Sequence, residues 1–275
     1  MGEGEGLVSK LMDTTEKLTI QRIAGDGRQD VEDVVIREMP LTIILDNQEL
    51  VTLLCSPPGL DYLAAGFLFS EGLIKSREQI KRIMIDGPRG VVRVDTEGGR
   101  QSAEDLLFKR LITSGCGRGA SFYSAADVMG QAKVESETRV SAAGIFALVK
   151  QFQQRSEVYR TTGGVHSAAL CDSRDILLFN EDIGRHNAID KVFGECLLKD
   201  LPADGLIAVT SGRVSSEVLL KVVRRNIPVL VSRSAPTSLG VKLAGDLGVT
   251  LVGFVRGTRM NVYANGWRIT TDAER

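Results

Sequence analysis

The chain has little of several things. Only 5% of its 275 residues are aromatic, a poor match to a surface that stacks unpaired bases. There are two histidines and four cysteines. No two cysteines form a C-x-x-C, and their spacing fits no zinc pattern. Such isolated thiols stay free in a reducing compartment, so thiol chemistry would fall to a single exposed cysteine. Charge of one sign is not in surplus: 34 Lys+Arg stand against 35 Asp+Glu, a net charge of −1. That balance excludes broad coating of nucleic acid and leaves room for a local basic pocket. No apolar run reaches the ~18 residues of a membrane helix. The opening Met1-Gly2-Glu3-Gly4-Glu5-Gly6 has no basic region followed by an apolar one, so no signal peptide is read. These absences predict a cytoplasmic protein with neither a membrane nor a nucleic-acid partner.

What is present is an ordinary globular composition, 43% hydrophobic and 25% charged, with enough apolar surface to exclude a disordered chain. At ~150 residues per domain, the length suits two modest domains or one large one. Residues 1–30 read as a flexible N-terminal arm around Gly25-Asp26-Gly27. Residues 31–135 read as a β-rich N-terminal domain. Leu41–Leu45 and Leu50–Leu54 flank Asp46-Asn47-Gln48, a hairpin signal, and Ser56-Pro57-Pro58 opens a helix that runs to Ile74. Strands follow at 80–85, 91–94 and 106–112. This domain ends in the glycine-rich loop Thr113-Ser114-Gly115-Cys116-Gly117-Arg118-Gly119, which no regular element would tolerate.

From residue 136 to 275 the rhythm changes. Ile145, Leu148, Val149 and Phe152 mark a helix over 141–155. Strands then alternate with helices: 165–170, 176–179, a helix at 187–198, 206–209, a helix at 215–223, 229–231, a helix at 239–247, and 250–255. Short β-branched strands with intervening helices predict a parallel sheet of βαβ units, with Arg259–Ile269 as an added edge strand.

Ligands of open α/β sheets bind beyond the carboxyl ends of the strands. Here those ends read Glu181-Asp182-Ile183-Gly184-Arg185-His186, Thr210-Ser211-Gly212-Arg213-Val214-Ser215, Ser232-Arg233-Ser234-Ala235-Pro236-Thr237 and Arg256-Gly257-Thr258-Arg259. Each carries an arginine, and three lead into helix N-termini, which favour anions. Taken singly, each loop is an ordinary helix cap beside a surface arginine. Several on one edge predict an anionic ligand, with pyrophosphate or a nucleotide the natural size. There is no P-loop, and Gly115-x-Gly117-x-Gly119 is not a dinucleotide fingerprint.

Cys116, between glycines and two residues before Arg118, has the access and the nearby positive charge that a reactive thiolate needs. Cys55, Cys171 and Cys196 sit in apolar strand and helix patterns and read as buried hydrophobes. His166 and His186 each lie beside a glycine in a turn facing the predicted pocket. A lone histidine is more often structural, but either can serve as ligand donor or proton shuttle. A zinc nucleobase deaminase would need H-x-E and P-C-x-x-C, and neither is present.

Several strings occurring in order resemble the formate dehydrogenase accessory sulfurtransferase family, the FdhD-type sulfur carriers. They are Thr113-Ser114-Gly115-Cys116-Gly117, Gly163-Gly164-Val165-His166-Ser167-Ala168, Glu181 through Lys191, Ser211-Gly212-Arg213, Ser232 through Thr237, and Phe254-Val255-Arg256-Gly257-Thr258-Arg259-Met260-Asn261-Val262-Tyr263. The resemblance covers roughly residues 30–265. It implies a cytidine-deaminase-like α/β domain without zinc and a smaller β-rich α+β N-terminal domain. It also implies a function. A persulfide sulfur is taken from a cysteine desulfurase and passed to the molybdenum (or tungsten) bis-molybdopterin guanine dinucleotide cofactor, which then enters formate dehydrogenase. Cys116 aligns with the sulfur-carrying cysteine, and Phe254, Val255, Arg256, Gly257, Thr258 and Arg259 with a cofactor-binding stretch. Arg213, Arg233, Arg185, His166 and His186 complete the expected cofactor set. A homodimer is implied as well. The chain departs from the family loop at Gly119, where a second cysteine commonly stands. The departure keeps a second reading open, a cofactor-delivery chaperone that carries no sulfur. A metal-free deaminase or hydrolase acting on a nucleotide is the remaining alternative.

Overall fold

A computed structural model describes residues 14–97 and 133–271. Its elements, in chain order, are β1 (Thr15–Ala24), β2 (Gly27–Ile36), β3 (Met39–Leu45), β4 (Gln48–Cys55), α1 (Leu60–Ser70), β5 (Ile80–Asp86) and β6 (Val91–Thr96). After the undescribed stretch come β7 (Val140–Ser141), α2 (Ala142–Arg155), α3 (Glu157–Thr162), β8 (His166–Cys171), β9 (Ile176–Asp182), α4 (Arg185–Leu198), β10 (Ile207–Thr210) and α5 (Ser216–Arg224). The last are β11 (Val229–Ser232), α6 (Ser238–Asp246), β12 (Thr250–Arg256), β13 (Arg259–Ala264) and β14 (Ile269–Thr270). The expected strand at 106–112 and the whole Cys116 loop lie outside the described residues.

The N-terminal arm is corrected from residue 15 onward. Thr15–Ala24 and Gly27–Ile36 form a regular antiparallel hairpin that closes on Gly25-Asp26, with Gly25 in the left-handed region at φ 58°. The Gly-Asp-Gly string is thus a tight turn between strands. A free two-stranded ribbon is marginal in water. This one is anchored at its base, where Ile36 packs on Gly164 closely enough that a Cβ there would meet Ile36 Cγ2 at 2.8 Å.

The next unit is a four-stranded sheet in the order β4-β3-β6-β5. Asp46 and Asn47, both at positive φ, form the two-residue turn between β3 and β4. α1 covers the sheet and is buried almost all round, with Leu63, Ala64, Phe67 and Leu68 at 1% exposure or less. A helix that is apolar on every side is clamped between layers, and its second neighbour is α4.

The larger sheet runs β13-β12-β11-β10-β8-β9. Only β10–β11 and β11–β12 pair in parallel. β8 is antiparallel to β10 and to β9, and β13 is antiparallel to β12. The expected all-parallel sheet is therefore mixed. The reason is connection length: the turns after β8 and β12 are far shorter than the dozen residues of a parallel crossover. The central strands are buried on both faces. Leu170, Ala208, Leu230 and Leu251 join α4, α5 and α6 on one side. Ala169, Val209, Val231 and Val252 join α2 on the other. The period of two delivers alternate side chains to each layer.

A candidate cofactor-binding edge

β9 pairs antiparallel to β8, and β8 antiparallel to β10, so β9 runs in the same direction as β10, β11 and β12. Their four carboxyl ends, and the start of β8 with His166, share one edge of the sheet. The loops there are tied to one another. Val214 and Pro236 form an isolated bridge. Ser232 Oγ donates to Gly212 O at 2.7 Å, and Ser211 N donates to Ser167 O at 3.0 Å.

Several of the loop hydroxyls are structural. Ser215 and Thr237 cap α5 and α6 by accepting from Val218 N and Gly240 N, which is ordinary N-cap chemistry. α4 differs. Its N-cap is Gly184, with no side-chain cap. Asp182 turns back beneath it, accepting from Gly184 N and Asn187 Nδ2, each at 2.9 Å.

The first turn of α4 brings together three of the expected residues. Arg185 packs against Gly212, where a Cβ would meet Arg185 Cβ at 2.8 Å, and its Nε is buried without a hydrogen-bond partner. His166 Nδ1 lies 3.2 Å from Ser211 Oγ. Burial, and secondly the Arg185 guanidinium, push the His166 pKa below its ordinary value. His186 Nε2 lies 3.3 Å from Glu217 Oε2, a contact of charge proximity without hydrogen-bond alignment. That carboxylate favours a proton on the ring. Burial opposes it, as do the charges of Lys221 and Arg185, and these win: the His186 pKa is pushed down to about 3.

The remaining expected residues are spread along the edge. Arg213 is exposed. Arg233 turns toward α2, where the Gln153 amide oxygen, in the orientation that satisfies both partners, accepts from its guanidinium at 2.7–3.1 Å. Arg256, Gly257, Thr258 and Arg259 form the exposed tip of the β12–β13 hairpin. Phe254 takes the left-handed conformation at φ 52°, an outlier for a bulky residue, and Arg256 stacks 5.8 Å above its ring. Val255 is corrected: at 1% exposure it belongs to the core beneath α2, so its side chain offers nothing to a ligand. None of these five arginines makes an ion pair among the described residues, so their charge is uncompensated at the edge. That is the electrostatic signature of an anion site.

Sequence reasoning missed the polar ties that hold this edge to the N-terminal unit. Lys191 and Asp182 form a fully buried ion pair at 2.6 Å. Ser56 N and Oγ each donate to the same carboxylate at 3.1 Å, and Lys191 Nζ donates to Ser56 O at 2.9 Å. A second buried pair, Lys221 with Asp190, is joined by Ser70 Oγ, which donates to Asp190 Oδ1 at 2.6 Å. Lys191 and Asp190 stand in the quoted string Glu181–Lys191, but spacing alone does not show that they are buried.

The three described cysteines are sealed. Cys55, Cys171 and Cys196 all have 0% exposure. Burial pushes the Cys55 and Cys171 thiols up to about 12. Among the described residues no cluster of three His, Cys, Asp or Glu could hold a metal ion. No described helix is long and apolar enough to cross a membrane.

Comparison with known proteins agrees with this architecture. The FdhD/NarQ family matches residues 36–270. The chain belongs to the FdhD/NarQ family. Among curated relatives, the sulfur carrier protein FdhD of Bacillus subtilis (strain 168) is 44% identical over 239 residues, covering 87% of this chain and 91% of that protein. The sulfur carrier protein FdhD of Listeria innocua is 39% identical over 261 residues, covering 94% and 100%. A crystal structure from Desulfotalea psychrophila, provisionally described as a formate dehydrogenase accessory protein, superposes with a TM-score of 0.78. It is 28% identical and covers 94% of this chain and 100% of that one. The mixed six-stranded sheet and its arginine-bearing edge therefore belong to an FdhD/NarQ chain.

Proposed function

We propose that this FdhD/NarQ chain is a sulfur carrier for formate dehydrogenase, with Cys116 as the carrying thiol. Family membership and relatives named sulfur carrier protein FdhD support the role. The observation that carries the choice of residue is the state of the other thiols. Cys55, Cys171 and Cys196 are closed off in the core, and a thiol sealed from solvent neither attacks nor carries a persulfide. The chemistry falls to Cys116, flanked by Gly115 and Gly117.

In the first step the Cys116 thiolate attacks the terminal sulfur of a persulfide on a cysteine desulfurase. A new S–S bond forms on Cys116, the donor S–S bond breaks, and the donor cysteine leaves as a thiolate. In the second step the terminal sulfur passes to the metal of molybdenum or tungsten bis-molybdopterin guanine dinucleotide. The metal enters two electrons below its highest level and supplies the pair that reduces this sulfur to sulfide, and the Cys116 thiolate leaves. The cofactor is the substrate. Its pyrophosphates suit the uncompensated arginines at the strand ends, Arg185, Arg213, Arg256 and Arg259 foremost, in a cytidine-deaminase-like α/β unit that works without zinc. With Gly119 in place of a second loop cysteine, one thiol carries the sulfur alone.

Intact-mass analysis after incubation with a cysteine desulfurase and cysteine tests this. The mass should rise by one sulfur, ~32 Da, reverse with a thiol reductant, and stay unchanged in Cys116→Ala. A wild-type chain that gains no mass yet still binds a guanine nucleotide is a delivery chaperone, the reading that Gly119 keeps open.

A further inference from the structure

We infer that Ser211 is a positioning residue that fixes His166 as the Nε2–H tautomer, so that the strand-end edge presents a neutral imidazole donor to its ligand. The inference rests on the reading of this edge as the binding site for a phosphate-ester ligand, and it adds how one group there is set.

Ser211 sits one residue past β10, where its backbone N donates to Ser167 O at 3.0 Å. The next donor along β8, Ser167 N, finds its acceptor in Ser211 Oγ, also at 3.0 Å. The hydroxyl therefore accepts a backbone hydrogen bond and has its own proton to place. The acceptor within reach is His166 Nδ1 at 3.2 Å. A neutral imidazole carries one N–H, so a ring that accepts at Nδ1 bears its proton on Nε2. Nothing in the surroundings forces a second proton onto the ring. Arg185 and His186 face it from α4, and Asp182 from β9; burial and Arg185 outweigh the carboxylate. His166 Nε2 has no hydrogen-bond partner among the described residues, and it is not among the buried atoms left without one. It is therefore an open donor, next to Arg185, whose Nε is buried and unpartnered.

This arrangement recognises an acceptor oxygen or nitrogen, such as a phosphate oxygen or the O6/N7 edge of guanine, beside the arginine charge. Losing one neutral hydrogen-bond donor from such a site weakens binding by roughly three- to tenfold.

The test is nitrogen-15 NMR of ring-labelled histidine in the full chain, with His166→Gln used to assign the two rings, and calorimetric titration with guanosine diphosphate as the probe. Wild type should show the Nε2–H pattern for His166. Ser211→Ala should give mixed tautomers and bind the probe about twofold more weakly for an even mixture, since only the Nε2–H fraction is competent, and Ser211→Thr, which keeps the hydroxyl, should restore both. Circular dichroism reports whether each variant folds. A wild-type Nδ1–H pattern, or a tautomer unchanged in Ser211→Ala, overturns the positioning role whatever the affinities are. The expected tautomers with no binding of the probe to wild type support the positioning role and overturn the phosphate-ester reading of the edge.

Discussion

Replacing Gly66 or Gly194 by alanine should separate the two halves of the molecule. α1 and α4 cross with glycine against backbone on both sides. A Cβ on Gly66 would lie 1.8 Å from Asp190 O, and one on Gly194 would lie 1.9 Å from Tyr62 O. Both obstacles are main-chain atoms, so no rotamer change gives way, and the helices must part by roughly 1.5 Å to restore ordinary contact. Alanine is the better helix former by about 1 kcal/mol. Overpacking a tight contact costs about 1–3 kcal/mol and occasionally more. The parting also stretches the bonds that bridge the crossing, Ser70 to Asp190 and Ser56 to Asp182. Each is a hydroxyl bond to a buried carboxylate that keeps its lysine partner, and such a bond is worth about 1.5–3 kcal/mol.

The steric and electrostatic costs exceed the propensity gain, so each variant should lose about 3 kcal/mol, a large part of the ~5–15 kcal/mol that holds a domain folded. Urea unfolding followed by circular dichroism measures it. The control is Gly245→Ala in α6, where a Cβ meets nothing within 4 Å; there propensity acts alone and stability should rise by up to about 1 kcal/mol. If Gly66→Ala and Gly194→Ala unfold at or above the wild-type urea midpoint, the close crossing does not exist as described.

Three further outcomes follow from the same contacts. His186 is held neutral, with its pKa pushed down to about 3 against an ordinary 6.5, so the unfolded chain binds more protons between those values. Its contribution is complete above pH ~6.5 and is lost as the pH falls toward 3, with a slope of up to about 1.4 kcal/mol per pH unit; His186→Gln should flatten that part of a stability–pH profile. Lys191→Met leaves the Asp182 carboxylate buried and should cost about 3–5 kcal/mol in urea unfolding, most of it recovered by adding Asp182→Asn. Arg213→Ala and Arg256→Ala remove exposed charges that have no ion-pair partner, so Tm should stay within about 0.5 kcal/mol of equivalent stability, while guanosine diphosphate binding weakens and its salt dependence drops.

Much of the fold is legible because local signals are strong where one face or both faces are buried. The 41–54 hairpin, the helix over 142–155 and the strands of the large sheet follow from periodicity and turn residues alone. The β1–β2 hairpin was not legible as structure because its strands are mostly exposed. Leu18, at 43% exposure, marks no buried face, and only the tight Gly25-Asp26 turn hints at pairing. The helix over α1 was legible, but its all-round burial was not. That burial depends on α4, which enters 115 residues after α1 ends, and on two glycines whose importance is a property of the pair.

The site was legible in the same partial way. Ligands gather beyond the carboxyl ends of strands, and in a parallel sheet those ends share one edge. The sheet is mixed, yet the four loops still share an edge. β9 reaches its place through one antiparallel neighbour, β8, and two reversals restore the direction of β10. The same reversal carries His166, at the beginning of its strand, to the edge where the other strands end. Its partner Ser211 lies 45 residues away, in a string whose charged residue is Arg213. Residue type identified the charges that would meet an anion. The hydroxyl that decides which nitrogen of His166 meets it is set by the antiparallel pairing of β8 with β10, which no local pattern in the sequence records.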